Sequence, residues 1–421
     1  MTKKKKGISE AERIRLERAK HKKEFLEKME FYMDHWGGKG TFATIPKSKI
    51  DTLYDVRFYS LKIESQEPGL MSIAGLKKTK LFFNQIMKTT MISISPDKDD
   101  MSLEDFMTIG LTLNNFVYWC NTDNGKCNWA LPIYEKLSPY IIGKALENAC
   151  TQLEITLNSI SLYLTDLDQH IVSFTYIVSK APEPLKGFNN LIKIHPQKAA
   201  IKHFTINNET RPALRVTWTI LNKGFLYAQL APSLIGVSKS GNNSPIDVYV
   251  QSHALNRLSE RIDCLSKTSI QGSLYESITL DPTIVRSEKD TILIEYKILK
   301  QKLGYLVCEY CNGAILIRTF LFITNNGTPE GRKLYELTGL GKLDKKYLAL
   351  DKLSSYIESD INTNETLKTL FTNAGCESLL NIDSAIEKAA SKKSNEAFAK
   401  HIAQYLDKDR GSLDLFEEEE D

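Results

Sequence analysis

Asn312 and Gly313 stand between two runs of strand character, LGYLVCEYC before them and AILIRTFLFIT after them. An Asn-Gly pair accepts positive φ at both positions and closes a two-residue hairpin whose twist matches its strands. Gly304 to Cys311 and Ala314 to Thr324 should therefore pair antiparallel. Upstream, SLYESITLDPTIV and DTILIEYKIL have the β-branched and aromatic content of two further strands. Alternation along the last strand puts Ile315, Ile317, Thr319, Leu321 and Ile323 on one face. Arg318, Phe320, Phe322 and Thr324 fall on the other.

Ahead of these strands, VYVQSHALNRLSERIDCL, from Val248 to Leu265, reads as one amphipathic helix. At about 100° per residue, Leu255, Leu258, Ile262 and Leu265 share one side, and His253, Arg257, Glu260 and Arg261 share the other. The chain from about 246 to 340 is thus expected to form one helix followed by a four-stranded antiparallel sheet, closed by a turn and short helix in TNNGTPEGRKLYELTGL.

The full chain has 421 residues, more than one core of usual size accommodates, so two or more domains are expected. Its formal net charge of +3 commits it to no polyanion, but the charge is uneven: basic at the N-terminus, acidic from Glu417 to Asp421. Seven scattered cysteines, an odd number in a long chain, suit reduced thiols rather than a disulfide framework. No apolar run approaches the roughly 18 residues of a membrane span, and no apolar segment follows the basic N-terminus as in a secretory signal. A cytoplasmic protein is expected, in the cytoplasm of a host if the gene belongs to a phage or mobile element.

The fold class expected is α+β. Residues 1–36 form a basic helical arm, opened by a capping box of Ser9 and Glu12 and crowded with Arg13, Arg15, Arg18, Lys20, Lys22 and Lys23. Such an arm binds phosphate backbones or simply keeps the chain solvated. The glycines at 37–40 break the helix without forming a phosphate-binding loop, since no GxxxxGK[ST] occurs. Residues 41–237 make a mixed domain. VRFYSLKI and LFFNQIMKTTMISISP resemble strands, MSLEDFMTIGLTLNNFVYW a helix capped by Ser102, and Leu131 to about Thr165 a helical stretch interrupted near Pro139. HIVSFTYIVS and RPALRVTWTIL are strands, joined by a basic connection that carries His195 and His203. A polar linker, Ser238 to Pro245, marks a domain boundary. After the sheet come short helices over 344–407, which pack on the sheet or form a helical appendage, and an acidic tail over 408–421.

The pattern SHALNRLSERID resembles the HAxxRxxxR helix that small toxin-like RNase domains carry ahead of a four-stranded sheet, in the broad group of barnase, EndoU, the colicin RNases and RelE. The resemblance covers about 95 residues. It implies a metal-independent endoribonuclease-like effector with His253, Arg257 and Arg261 on its helix and Thr324 as the polar residue ending the last strand. RNA cleavage without metal needs a base for the 2′-hydroxyl, an acid for the leaving 5′-oxygen and cations for the phosphorane charge. Histidine titrates near neutral pH and serves either proton role. Arginine holds phosphate oxygens in a fixed fork. At i, i+4 and i+8 the three side chains line one helix face. Arg318 joins them if its strand face meets that helix face.

Cys308 and Cys311 form a CxxC, but no second ligand pair at zinc spacing accompanies it, so no metal is assigned. No cofactor fingerprint is present. SLDLF in the tail resembles the peptide by which replication proteins bind a sliding clamp, through Leu413, Asp414, Leu415 and Phe416. Three functions stay open from sequence: an RNase acting through the His253 face, a non-enzymatic nucleic-acid-associated protein using the basic arm and the clamp-binding tail, and a structural or assembly protein.

Overall fold

The computed structural model describes residues 9–65, 70–121, 129–182, 186–237, 244–287, 290–357 and 359–390. The fold is α+β. The chain divides into two compact units: Met1–Ser161, Val172–Pro196 and Ile220–Gly224; and Leu162–Ile171, Gln197–Thr219 and Phe225–Asp421. The SLDLF tail, with Leu413, Asp414, Leu415 and Phe416, lies outside the described residues.

The first unit is built on helices α1 (Glu10–Gly37), α2 (Lys47–Asp55), α3 (Ile73–Thr89), α4 (Leu103–Asp105), α5 (Leu111–Asn121), α6 (Ala130–Ile141) and α7 (Lys144–Leu164). It also holds β1 (Lys62–Ser65), the short pair β2 (Met91–Ile92) and β3 (Met101–Ser102), β4 (Ile171–Lys180) and β5 (Phe188–Gln197). Helix α1 begins at the expected cap, where Ser9 Oγ accepts the Glu12 amide, and it buries Met29, Met33 and Trp36 near its end. Ser102 likewise caps α4. LFFNQIMKT belongs to helix α3, not to a strand: Thr79, Phe83 and Met87 recur every four residues, and that stripe is buried. Pro139 sits inside α6; the helical stretch breaks beyond it, at Gly143, whose φ is +74°. The supposed basic connection is two strands, β5 and, in the second unit, β6 (Ile201–Ile206), so His195 and His203 lie on strands.

In the second unit, β6 is followed by β7 (Glu209–Arg215), β8 (Thr217–Ile220), β9 (Gly224–Tyr227), β10 (Gln229–Leu230) and β11 (Ile246–Val250). Then come α8 (Ser252–Arg261), α9 (Lys267–Thr279), β12 (Ile284–Arg286), β13 (Ile292–Ile298), β14 (Gln301–Cys311) and β15 (Ala314–Phe322). Helices α10 (Pro329–Thr338), α11 (Lys342–Tyr347), α12 (Glu365–Ala374) and α13 (Ser384–Ala389) complete it. The four strands β12 to β15 form the antiparallel meander expected, with Asn312 and Gly313 at φ +50° and +71° in the hairpin turn. The sheet is larger than four strands. It continues through β11, parallel to β15, and on to β7 and β6, with β10 on β11, eight strands in all.

Two sequence-based assignments in this region change. The run from Val248 is not one helix. Ile246–Val250 is a strand that alternates inward and outward, and the helix starts after Gln251. SLYESIT is helix α9, opened by Ser266, whose hydroxyl accepts the Ser269 amide. The expected face of α8 is buried: Leu255, Leu258 and Ile262 join the main core and Leu265 is half-buried against it. The C-terminal helices are not an appendage, since Leu353, Ile357, Leu367, Phe371, Leu379 and Ile386 belong to that same core.

The alternation in β15 also breaks. Val307 pairs with Thr319, but Cys308 pairs with Ile317, which leaves Arg318 as an extra residue in a bulge. Ile315 and Ile317 face the main core before it, and Phe320 and Phe322 face the same core after it.

Candidate functional site

Helix α8 forms because its apolar stripe recurs at helical spacing and packs onto β15. Its opposite face carries the residues expected there. His253 is the second residue of the helix, exposed, and within hydrogen-bond or ion-pair reach of no other described side chain. One turn on, Arg257 Nη1 donates to Glu260 Oε2 at 2.8 Å, in a surface pair. Such exposed pairs contribute about 0–1 kcal/mol. Arg261 is half-buried and pairs with Asp351. By helical rise it stands about 12 Å along the axis from His253.

Thr324 lies two residues past the end of β15 and is fully buried. Its hydroxyl donates to the Leu350 carbonyl at 2.7 Å. Arg261 and Thr324, far apart in sequence, are thereby brought to two consecutive residues, Leu350 and Asp351. His253 and Arg257 are not drawn into that contact.

The segment that carries Leu350 and Asp351 is held at several points. Lys345 is buried, and its ammonium donates to the carbonyls of Thr324 and Gly331, each at 2.8 Å, and to Asn326 Oδ1. Burial pulls its pKa down from the ordinary lysine value to about 8. Asp263 accepts from the Ser354 amide at 3.1 Å and from its hydroxyl at 2.8 Å. The Tyr356 hydroxyl donates to the Leu350 carbonyl at 2.9 Å. None of these residues carried a motif. The one local signal is an aspartate ending the apolar run Leu348-Ala349-Leu350, a place where a carboxylate must find a cation if it is buried.

Arg318 does not join the α8 face. The bulge turns it outward, where it donates to Glu309 at 3.1 Å and lines a 370 Å³ groove with Arg286, Asp290, Glu309 and Tyr310. No α8 residue lines that groove. Both arginines there have carboxylate partners, since Arg286 also pairs with Asp290.

The basic arm has less surplus charge than its arginines and lysines suggest. The seven lysines and arginines of α1 are matched by seven carboxylates in the same helix. Arg13 pairs with Glu10, Lys20 with Glu24, Lys23 with Glu27, and Lys22 with Asp51. Arg15 and Arg18 are exposed and make no ion pair with described residues.

Cys308 packs in the main core while Cys311 packs against the small cluster of Phe204, Ala213, Ala314 and Leu316. The two thiols do not share a ligand sphere, and burial raises the pKa of both. Among the described residues no helix is long and apolar enough to cross a membrane.

No family model matches the chain, and no curated protein or solved structure is similar to it.

Proposed function

We propose that the second unit acts on RNA as a metal-independent endoribonuclease through the α8 face. The observation that supports this reading is the placement of the four residues. Two of them, His253 and Arg257, are open on one helix face, while Arg261 from its last turn and Thr324 from beyond β15 meet at Leu350 and Asp351. A helix pair followed by an antiparallel meander supplies the frame.

In this reading the 2′-oxygen attacks phosphorus as the bond to the 5′-oxygen breaks, leaving a 2′,3′-cyclic phosphate and a 5′-hydroxyl. His253 moves one of the two protons and water the other. Arg257 and Arg261 hold the non-bridging oxygens, where their charge opposes the growing negative charge of the phosphorane. The step balances without a metal or redox partner.

The test is cleavage of single-stranded RNA in chelator, comparing wild type with His253→Ala and Arg257→Ala. Loss of a positioned acid or base should lower the rate by about 10²–10⁴-fold. Arg257→Ala should lower it too, with far-ultraviolet circular dichroism unchanged. Cleavage that persists undiminished in His253→Ala would refute the assignment.

A second reading is a nucleic-acid-binding protein that uses the α1 arm. Arg15 and Arg18, exposed and in no ion pair with described residues, are what favour it. It predicts that Arg15→Gln with Arg18→Gln weakens RNA binding while His253→Ala does not.

A further inference from the structure

We infer that the segment from Gly341 to Tyr356 is a built-in plug over the C-terminal half of the α8 face, with Asp351 occupying on Arg261 the position of an RNA phosphate. The inference rests on the ribonuclease reading above. It adds a regulatory state of that site, in which two of the four groups are covered by the chain itself.

Three features of the contact support it. First, the plug takes two of the four residues placed above, one of them the Arg261 that the reading gives to phosphate. Asp351 pairs with Arg261, and the neighbouring Leu350 carbonyl takes the Thr324 hydroxyl. A carboxylate presents two oxygens to a guanidinium much as a phosphate does, so the two ligands compete for one fork.

Second, the contact is incomplete as a structural ion pair. Asp351 is only 8 % exposed, yet its buried Oδ1 has no hydrogen-bond partner among the described residues. A buried pair contributes stability only when its remaining lone pairs are satisfied. A pair left in this state is poised for exchange with a ligand whose oxygens reach solvent.

Third, the segment is held on both sides of Leu350 and Asp351 by contacts that do not involve the Arg261 guanidinium. Lys345 fastens α11 to the Thr324 and Gly331 carbonyls, and Asp263 holds Ser354. The residue before the plug tip, Ala349, has φ +53°, a left-handed conformation that non-glycine residues rarely hold outside turns. The tip is thus a tight turn carried between two anchors. His253 and Arg257 remain outside it, so an RNA strand can engage the exposed half of the face first and then displace Asp351.

The test compares wild type, Asp351→Asn and Ser354→Ala in two assays on the full chain. One measures binding of a fluorescent 2′-O-methyl RNA oligonucleotide, which lacks the attacking hydroxyl and cannot be cleaved. The other measures cleavage of the unmodified oligonucleotide in chelator. A plug that holds about nine-tenths of the molecules closed lowers apparent affinity about tenfold. Asp351→Asn should therefore tighten binding about tenfold and speed cleavage by a similar factor. Ser354→Ala, which removes one of the two bonds of an anchor without touching Arg261, should do the same to a smaller extent. Adding Arg261→Ala to Asp351→Asn should abolish the gain.

If wild type cleaves and both variants match it, the plug is refuted while the ribonuclease reading stands. If the variants bind more tightly but nothing cleaves, the plug is supported as the cover of an RNA-binding face and the cleavage reading falls. If folded protein neither binds nor cleaves in any form, both are refuted.

Discussion

Ala349 and Lys345 show how much of the second unit depends on single side chains with no motif around them. Ala349 ends α11 in a Schellman turn: its amide donates to the Lys346 carbonyl at 3.1 Å and the Leu350 amide to the Lys345 carbonyl at 2.8 Å. Glycine is the usual residue at that left-handed position, and alanine there costs about 1–2 kcal/mol. Glycine returns part of this through a freer unfolded chain. Ala349→Gly should therefore raise stability by about 0.5–1 kcal/mol, read as a higher urea midpoint at unchanged slope. Lys345 yields a pH prediction. Its folded pKa near 8 lies below the unfolded value of about 10.4, so between the two the unfolded chain holds the extra proton. Stability from this group rises with pH through that window and is constant below it. Raising the pH from 8 to 9.5 should therefore stabilise wild type relative to Lys345→Met by about 1–2 kcal/mol, measured by urea unfolding at each pH. At this scale the sequence disclosed the groups whose role is local. Leu255, Leu258 and Ile262 were legible from helical spacing and His253 from the face opposite them. Asp351 was not, because its partner Arg261 is 90 positions away and only the fold joins them.

Among the elements, the β15 bulge decides which side chains enter the core. A regular strand would place Phe320 and Phe322 opposite Ile315 and Ile317; the extra residue at Arg318 returns all four to one face. Deleting Arg318 should restore a regular ladder with the same four residues inward, at a cost of about 1–2 kcal/mol or less. Deleting Leu321 rotates Phe322 out of the core and should cost about 3–5 kcal/mol, near the stability of a whole domain. Thermal melts of the two deletions check this, and equal loss in both would contradict the bulge. Turn chemistry was the most legible feature of this region. Asn312-Gly313, the Ser102 cap and the Ser9 cap all stand where their residue types require. Apolar runs whose residue types suit strands were the least legible. LFFNQIMKT and SLYESIT are rich in residues that suit strands, and tertiary packing made them helices α3 and α9. The strand Ile246–Val250 was absorbed into the helix that follows because Gln251, the joint between them, carries no capping side-chain bond.

For the whole molecule, the sequence conveyed the α+β class and the meander, but not the reach of the sheet. Strands β6 and β7 enter it from before the polar linker, and nothing local tells a strand which distant edge it joins. The α8 face was legible as a polar stripe opposite the buried one, since its histidine and arginines share one side of the helix. Its covering was not legible, because the plug reaches it through tertiary packing alone. The measurement that tests the central claim most directly is cleavage of RNA in chelator by Asp351→Asn protein, with and without His253→Ala. Asp351→Asn should yield cyclic-phosphate products, and the double variant a rate about 10²–10⁴-fold lower. Equal cleavage by both proteins, or none by a folded Asp351→Asn protein, would contradict the claim.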